Sequence, residues 1–97
     1  MHTSTEPEQE KIKKNVLSRM RRIEGQVRGI QRMIEEGKEC GDILVQVRAV
    51  RSALQSANKL ILKRYMLRCY EDSMETGGDD HESLDKFISL LTGFLEG

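Results

Sequence analysis

The stretch that decides the fold is residues 43–69, ILVQVRAVRSALQSANKLILKRYMLRC. It contains no glycine and no proline, the two residues that most often interrupt a helix. Its apolar positions recur every three or four residues, the period of an α-helix. They are Ile43, Val47, Val50, Leu54, Ala57, Ile61, Tyr65 and Cys69. We therefore predict one long helix of roughly thirty residues with an apolar seam.

A helix of similar character precedes this one. Its apolar positions are Ile12, Val16, Met20, Ile23, Val27, Ile30 and Ile34, again three and four residues apart. Gly37 follows the last of them and is the expected C-terminal cap. Residues 1–10 are polar, with three glutamates and one proline, and are predicted to form a disordered arm, with a single domain over residues 11–97. Gly25 and Gly29 lie four residues apart within this helix, which indicates close helix–helix approach or, alternatively, contact with a ligand or DNA.

A third, shorter helix is predicted after a turn at residues 77–80, Gly-Gly-Asp-Asp, where a carboxylate is available as N-cap. Its apolar face consists of Leu84, Phe87, Ile88, Leu91 and Leu95. The fold class is therefore all-α, with two long helices and one short helix per subunit. Two seams cannot enclose a core alone, so we expect two subunits to pair into an antiparallel four-helix core.

The charges are strongly segregated along the chain. All but one of the 16 Lys and Arg residues lie between Lys11 and Arg68, whereas residues 70–97 carry Lys86 alone against eight carboxylates. A surface of one sign is the electrostatic signature of a polyanion binder, which predicts double-stranded DNA as partner. The alternative is that some arginines pair with the acidic segment 71–85. No helix-turn-helix, zinc finger or RNA-binding strand is recognisable, so binding would depend on phosphates and DNA shape.

Other classes are disfavoured by what the sequence lacks. No long apolar segment or secretory signal is present, so we expect a cytoplasmic protein that does not associate with membranes. In that reducing compartment the two cysteines are inert core residues, metal ligands or redox sensors. An enzyme such as a thiol sulfurtransferase is a weaker alternative, because neither a phosphate loop nor a catalytic Cys–His pair is evident.

Cys40 and Cys69 stand at opposite ends of the predicted long helix, about 43 Å apart at 1.5 Å per residue. They cannot meet within one subunit, whereas an antiparallel partner brings Cys40 of one subunit beside Cys69 of the other. Tyr65 lies one turn before Cys69 and is expected to line the same site. A helix N-terminus favours a Cys40 thiolate, and a phenol is a poor ligand for Cu(I), so this set suits sulfur chemistry better than metal. His2 and His81, in the arm and the turn, are not expected to be ligands.

Several of these residues also occur in a recognisable pattern. Residues 19–35, RMRRIEGQVRGIQRMIE, followed by Cys40, by Ala-Asn-Lys at 57–59 and by Cys69, resemble the copper-sensing operon repressor (CsoR-type) family, which includes nickel/cobalt and formaldehyde sensors. The resemblance covers residues 12–95. It implies three helices per subunit, a dimer with a four-helix core, a dimer of dimers (a homotetramer), and a transcriptional repressor that releases operator DNA when its site reacts.

The resemblance also assigns roles to individual residues. Copper-sensing members use Cys, His and Cys, whereas this sequence has Cys40, Tyr65 and Cys69, and the loss of the histidine favours the CstR-type persulfide-sensing branch. That branch implies no cofactor, reactive sulfur species as inducer, and a thiolate whose persulfide is resolved by the other subunit's cysteine to a disulfide or polysulfide. Our hypothesis is that Cys40 is the attacking thiol and Cys69 the resolving thiol. The alternative is a Cu(I) site at Cys40 and Cys69. For DNA contact the match points first to Arg19, then to Arg21, Arg22, Arg48 and Arg51.

Overall fold

The computed structural model describes residues 4–76 and 81–96. Three helices account for nearly all of this part of the chain: α1 (Glu6–Glu35), α2 (Cys40–Thr76) and α3 (His81–Glu96). The predicted all-α fold with two long helices and one short helix is confirmed. His81 begins α3 and is not in a turn, while the turn predicted at residues 77–80 lies outside the described residues, as does His2. None of the described helices combines the length and apolar character needed to cross a bilayer.

Helix α1 begins earlier than its apolar pattern indicates. The expectation of a disordered arm is wrong for residues 6–10, which form the first turns of the helix. Pro7 lies in the first turn, where its missing N–H has no intrahelical partner to lose. Glu6 and Glu8 place negative charge beside the positive end of the helix dipole.

Contacts with α2 explain why this early start is stable. The backbone N–H of Thr5 donates to the carboxylate of Glu71, and the Thr5 hydroxyl donates to the carbonyl of Leu67 at 3.5 Å. Glu71 is only 7% exposed, so its carboxylate requires hydrogen-bond donors. Lys63 Nζ and Glu8 Oε1 add an exposed ion pair at 3.3 Å. The N-terminal turn of α1 is therefore docked along the face of α2 that carries Lys63, Leu67 and Glu71.

The turn between α1 and α2 is a Schellman motif, in which two backbone bonds close the end of a helix. The N–H of Lys38 donates to the carbonyl of Met33 at 3.0 Å, and the N–H of Gly37 donates to that of Ile34 at 3.1 Å. Gly37 has φ +66°, the left-handed conformation that side chains disfavour. Gly37 is therefore confirmed as the cap. The turn that it closes directs α2 back antiparallel to α1.

The inner face of α2 is offset from the predicted seam. One run of buried or half-buried positions on α2 recurs at spacings of three and four residues: Val50, Ala53, Ala57, Leu60, Arg64, Leu67 and Glu71. Outside this run, Ile43, Leu62, Cys69 and Ser73 are also half-buried. Val47, Leu54 and Ile61 were predicted to lie in the same seam, but they remain 38–43% exposed. Because α2 is apolar around much of its circumference, its sequence pattern merges two faces, only one of which meets α1.

Helix α1 shows a smaller shift. Ile12 and Ile23 are buried as predicted, at 6% and 7% exposure. Farther along, Val27 and Ile34 point outward, with 40% and 59% exposure. Gln26 and Met33 take the half-buried positions instead. A straight α-helix with 3.6 residues per turn drifts away from a strict seven-residue repeat, which moves the contact line by one residue.

The isolated subunit is elongated and exposes much apolar surface. Its extents are 58 × 27 × 15 Å and its radius of gyration is 18.3 Å, against roughly 13 Å for a compact chain of this length. Its accessible surface is 7844 Å², whereas a compact monomer of this mass exposes about 5,700 Å². A Cβ added at Gly25 or Gly29 meets nothing within 4 Å, so the close helix–helix approach expected there does not occur within the described subunit.

Replacing Gly37 by alanine is expected to destabilise the protein by about 1 kcal/mol, because a Cβ is disfavoured at positive φ. The matched control is Gly25→Ala, which replaces a helical glycine facing open space and is expected to stabilise by up to about 1 kcal/mol. Urea unfolding at one fixed protein concentration measures both changes. Changes of the same sign would contradict the assigned roles.

Replacing Glu71 by alanine is expected to destabilise the protein by about 2 kcal/mol, because the partly buried N–H of Thr5 loses a charged acceptor. Amide hydrogen exchange in residues 5–10 is expected to accelerate at the same time. Lys63→Ala removes only the exposed ion pair and should cost less than about 0.5 kcal/mol. Equal losses in the two variants would show that Glu71 does not anchor the first turn.

Candidate functional site

Cys40 is the first residue of α2 and is exposed. The residue before it caps the helix: Glu39 Oε1 accepts a hydrogen bond from the N–H of Gly41 at 3.2 Å. The Glu39 carbonyl accepts from the N–H groups of Asp42 and Ile43 at 3.1 and 3.2 Å. The predicted position of Cys40 at a helix N-terminus is therefore confirmed, and the carboxylate of the preceding residue caps that helix.

Cys69 is half-buried and lies beside Tyr65, one turn earlier on α2, with a hydrogen bond between the two side chains. Partial desolvation raises the pKa of the Tyr65 phenol above its ordinary value of 10.0, and the hydrogen bond and charge of Cys69 raise it further. The Tyr65 ring stacks on Phe87 of α3, with centroids 5.6 Å apart and planes within 2° of parallel. The structure thus brings together Tyr65, Cys69 and one residue of α3.

Within one subunit the two cysteines are separate. Both are free thiols, and 29 residues of unbroken helix hold them about 43 Å apart. Among the described residues, no group of three or more His, Cys, Asp or Glu side chains could hold a metal ion. Any site that uses both thiols therefore requires a second subunit.

Two of the predicted DNA-binding arginines lie together on α1. Arg19 and Arg22 line a cleft of about 200 Å³ together with Ile23, Gln26 and Ala53. Arg19 Nε donates to Asn15 Oδ1 at 2.8 Å, which fixes the guanidinium near the mouth of this cleft. Gln26 Oε1 is buried without a hydrogen-bond partner in the described structure.

The remaining candidates are more dispersed. Arg21 is two residues from Arg19, about 200° around the helix, so it lies on another side of α1. Arg48 and Arg51 are exposed on α2, within about 8 Å along the axis of Ala53. The alternative that intrasubunit ion pairs neutralise these arginines finds no support in the described residues, where none of the five forms an ion pair.

A second cleft lies near the end of α2 that carries Cys69. It has a volume of about 390 Å³ and mixes both signs of charge, with lining residues Glu6, Gln9, Glu10, Arg64, Arg68, Glu71 and Asp72. Arg64 and Arg68 of α2 line this cleft beside Glu71 and Asp72 of the same helix. Two arginines of α2 outside the predicted DNA-binding set therefore lie beside the first residues of the acidic segment.

Three residues near the sites escaped the sequence reasoning. Phe87 was assigned only to the apolar face of α3, and nothing in its spacing indicated Tyr65 as its neighbour. Glu71 had a usable signal, because it lies seven and fourteen residues after Arg64 and Ala57 and so continues a buried register. Glu39 also had one, since a carboxylate directly before a helix is a potential cap.

Comparisons with known proteins agree with this fold. The family model described as metal-sensitive transcriptional repressor matches residues 12–92. The copper-sensing transcriptional repressor CsoR of Bacillus subtilis is 33% identical over 95 residues, covering 98% of this chain and 93% of that protein. RicR, a copper-sensing transcriptional repressor of Mycobacterium tuberculosis, is 48% identical over 66 residues, 68% of this chain and 69% of that one. The crystal structure of the copper-sensing repressor CsoR with Cu(I) from Geobacillus thermodenitrificans superposes with a TM-score of 0.71 at 35% identity, covering 98% and 94% of the two chains.

Proposed function

We propose that this chain, which belongs to the metal-sensitive transcriptional repressor family, binds operator DNA and releases it when Cu(I) is held between two subunits. The ligands are Cys40 of one subunit and Cys69 of the partner subunit. The observation that carries this proposal is the placement of the two free thiols at opposite ends of α2 in a chain whose relatives are named copper-sensing. Thiolates are soft ligands of the kind that select Cu(I).

The assembly follows from the surface of the subunit. Val47, Leu54, Ile61 and Tyr65 form an exposed apolar band on α2, and its first and last members lie near the two cysteines. Packing this band against its symmetric copy in an antiparallel dimer builds a four-helix core and two equivalent thiol sites. Each subunit exposes about 2,100 Å² more than a compact monomer of its mass. This excess lies within the range of about 1,000–2,500 Å² that each subunit of an obligate homodimer buries. Pairing of two such dimers completes the proposed homotetramer.

The DNA surface is built around the cleft of Arg19 and Arg22, with Arg48 and Arg51 at the same level of the hairpin. Ala53 in this cleft lies about 20 Å along α2 from Cys40 and about 24 Å from Cys69. The inducer therefore acts at a distance, and it lowers DNA affinity only if it binds the DNA-free arrangement more tightly. We place this activity in the cytoplasm, where thiols stay reduced, and treat it as a stoichiometric response without enzymatic turnover.

A second candidate inducer is a persulfide, and Tyr65 is the observation that favours it. The phenol occupies the position next to Cys69 where the resemblance gives copper sensors a histidine, and it is a poor Cu(I) ligand. In this reaction the Cys40 thiolate attacks the sulfane sulfur of an organic persulfide and releases the organic thiolate. The Cys69 thiolate of the partner subunit then attacks the Cys40 persulfide, expels hydrosulfide and leaves an intersubunit disulfide.

The Cys40→Ser and Cys69→Ser variants are each expected to bind operator DNA as tightly as the parent and to lose the response to inducer. Anaerobic titration with Cu(I) against a strong Cu(I) chelator should show one ion per subunit in the parent, with loss of operator binding in a mobility-shift assay. Copper-free protein treated with an organic persulfide, with peroxide as comparison, is the second arm, read by non-reducing intact mass. If persulfide releases the DNA and Cu(I) does not, the second candidate replaces Cu(I) as the inducer. If neither compound releases the DNA, both candidates are contradicted.

The Arg19→Ala variant is expected to weaken operator binding by roughly tenfold and to lower the salt dependence of the affinity by about one charge. Lys38→Ala removes one positive charge from the turn between α1 and α2 and is the matched control, with affinity close to that of the parent. Sedimentation should show that both variants keep the oligomeric state. Unchanged affinity of Arg19→Ala at moderate salt would remove this arginine from the DNA surface.

A further inference from the structure

The outer face of α1 carries a row of basic side chains that the proposed DNA surface does not include. A helical turn takes about 3.6 residues, so residues seven or eighteen positions apart lie within about 20° of one another around the axis. By this geometry four exposed cations share an arc of about 40° and extend for about 27 Å along the helix. They form the outer basic stripe: Lys14, Arg21, Arg28 and Arg32.

The outer basic stripe faces away from the rest of the subunit. Ile12 and Ile23, the buried side chains of α1, lie about 140–180° around the helix from its members. Arg19 and Arg22, which line the cleft in the proposed DNA surface, lie about 80–180° away from them. The stripe is therefore a second basic surface on α1, separate from the cleft.

The stripe lacks neighbouring negative charge in the described part of the chain. Ser18 and Gly25 complete its arc, and Glu24, at one edge, is the only acidic residue between Lys14 and Arg32. None of the four stripe cations forms an ion pair among the described residues. Burial of these charges in a subunit interface would leave them uncompensated, whereas a polyanion supplies the missing negative charge.

Gly25 lies in the middle of the stripe, between Arg21 and Arg28. Glycine is unfavourable in the interior of a helix compared with alanine. A Cβ added at Gly25 meets nothing within 4 Å, so packing within the described subunit does not explain this glycine. The missing side chain leaves the helix surface open to a DNA backbone between the two arginines.

We infer that the outer basic stripe holds duplex DNA through phosphate contacts, so that α1 meets DNA on two sides. The inference rests on the proposed function in taking DNA as the ligand. About 27 Å of duplex carries about sixteen phosphate charges, which is enough to neutralise every cation of the stripe. Phosphate contacts carry no sequence information directly, so the stripe adds affinity without adding specificity.

A straight duplex cannot lie on the stripe and in the cleft at the same time. The two surfaces face different directions on a helix about 10–12 Å wide, whereas duplex DNA is stiff over about 150 base pairs. Two segments of DNA or one sharply bent duplex therefore occupy them. Both sources present the same phosphates, and the experiment distinguishes them.

The test compares two double variants that each remove two charges from α1. They are Arg21→Gln/Arg28→Gln in the stripe and Arg19→Gln/Arg22→Gln in the cleft, and glutamine maintains helix propensity. Operator DNA is selected with the parent protein from a random-sequence library. Each protein is then titrated over a range of salt concentrations with this operator and with a random-sequence duplex of equal length.

The stripe variant is expected to bind both duplexes about tenfold more weakly, by the same factor for each, with a shallower salt dependence. The cleft variant should weaken operator binding more than random-duplex binding. Lys14→Gln/Arg32→Gln removes the ends of the stripe and should act in the same direction as the first stripe variant. The matched control, Lys38→Gln/Lys86→Gln, removes two charges outside both surfaces and should bind as the parent does.

A bridging assay identifies the source of the DNA on the stripe. If two segments are held, parent protein on a bead-bound duplex retains a second, fluorescent duplex, and the stripe variant does not. If one bent duplex is held, no second duplex is retained, and energy transfer between dyes at its two ends rises with the parent protein alone. Either result supports the stripe as a DNA surface.

Affinity and salt dependence equal to those of the parent in both stripe variants would overturn the inference. Sedimentation that shows a dissociated oligomer in the stripe variants would overturn it as well, because the stripe would then belong to a subunit interface. Failure of the proposed function has a different signature, in which the parent protein binds the operator no more tightly than the random duplex. The stripe would still be tested by the random duplex in that case.

Discussion

Helix α2 holds Cys40 and Cys69 about 43 Å apart, because every residue between them is helical and none of them breaks the backbone hydrogen bonding. This rigid separation means that neither thiol can reach the other in its own subunit. A two-thiol site can exist only where the start of one α2 meets the end of another. The proposed dimer, the proposed site between its subunits and the distance from that site to the proposed DNA surface all depend on this constraint.

Helix α1 supplies the other half of the hairpin, and its contact with α2 is modest for a folded protein. Only Ile12, Ile23 and Ala57 are buried apolar residues among those described. The first turn of α1 is fixed mainly by polar contacts to Leu67 and Glu71, which lie on either side of Cys69 along α2. A rearrangement at that end of α2 would therefore also displace α1, which carries Arg19 and Arg22.

Much of this could be predicted from the sequence, because helical periodicity and glycine capping are local properties. The three helices and the Gly37 cap follow directly from such patterns. The start of α1 could not be predicted in this way, since residues 6–10 are stabilised by Glu71, which is distant along the chain. The seam of α2 was misplaced at Val47 and Leu54 because a helix that is apolar on two faces gives one merged pattern.

The candidate site divides in the same way. The pairing of Tyr65 with Cys69 follows from their spacing of four residues, whereas the stack on Phe87 depends on how α3 packs. The arginines were predicted as a group, but their spacing alone separates Arg21 from Arg19. Two lines of reasoning differ about the inducer: the relatives favour Cu(I), whereas the phenol of Tyr65 favours sulfur chemistry.

The most direct measurement of the central claim is a subunit-mixing experiment with Cys40→Ser and Cys69→Ser proteins, neither of which contains a complete site alone. Unfolding and refolding them together produces mixed dimers in which one site has both thiols and the other has none. If the site lies between subunits, the mixture regains high-affinity inducer binding that both separate variants lack. Failure of the mixed dimers to bind, or binding by either variant alone, would contradict an intersubunit thiol pair.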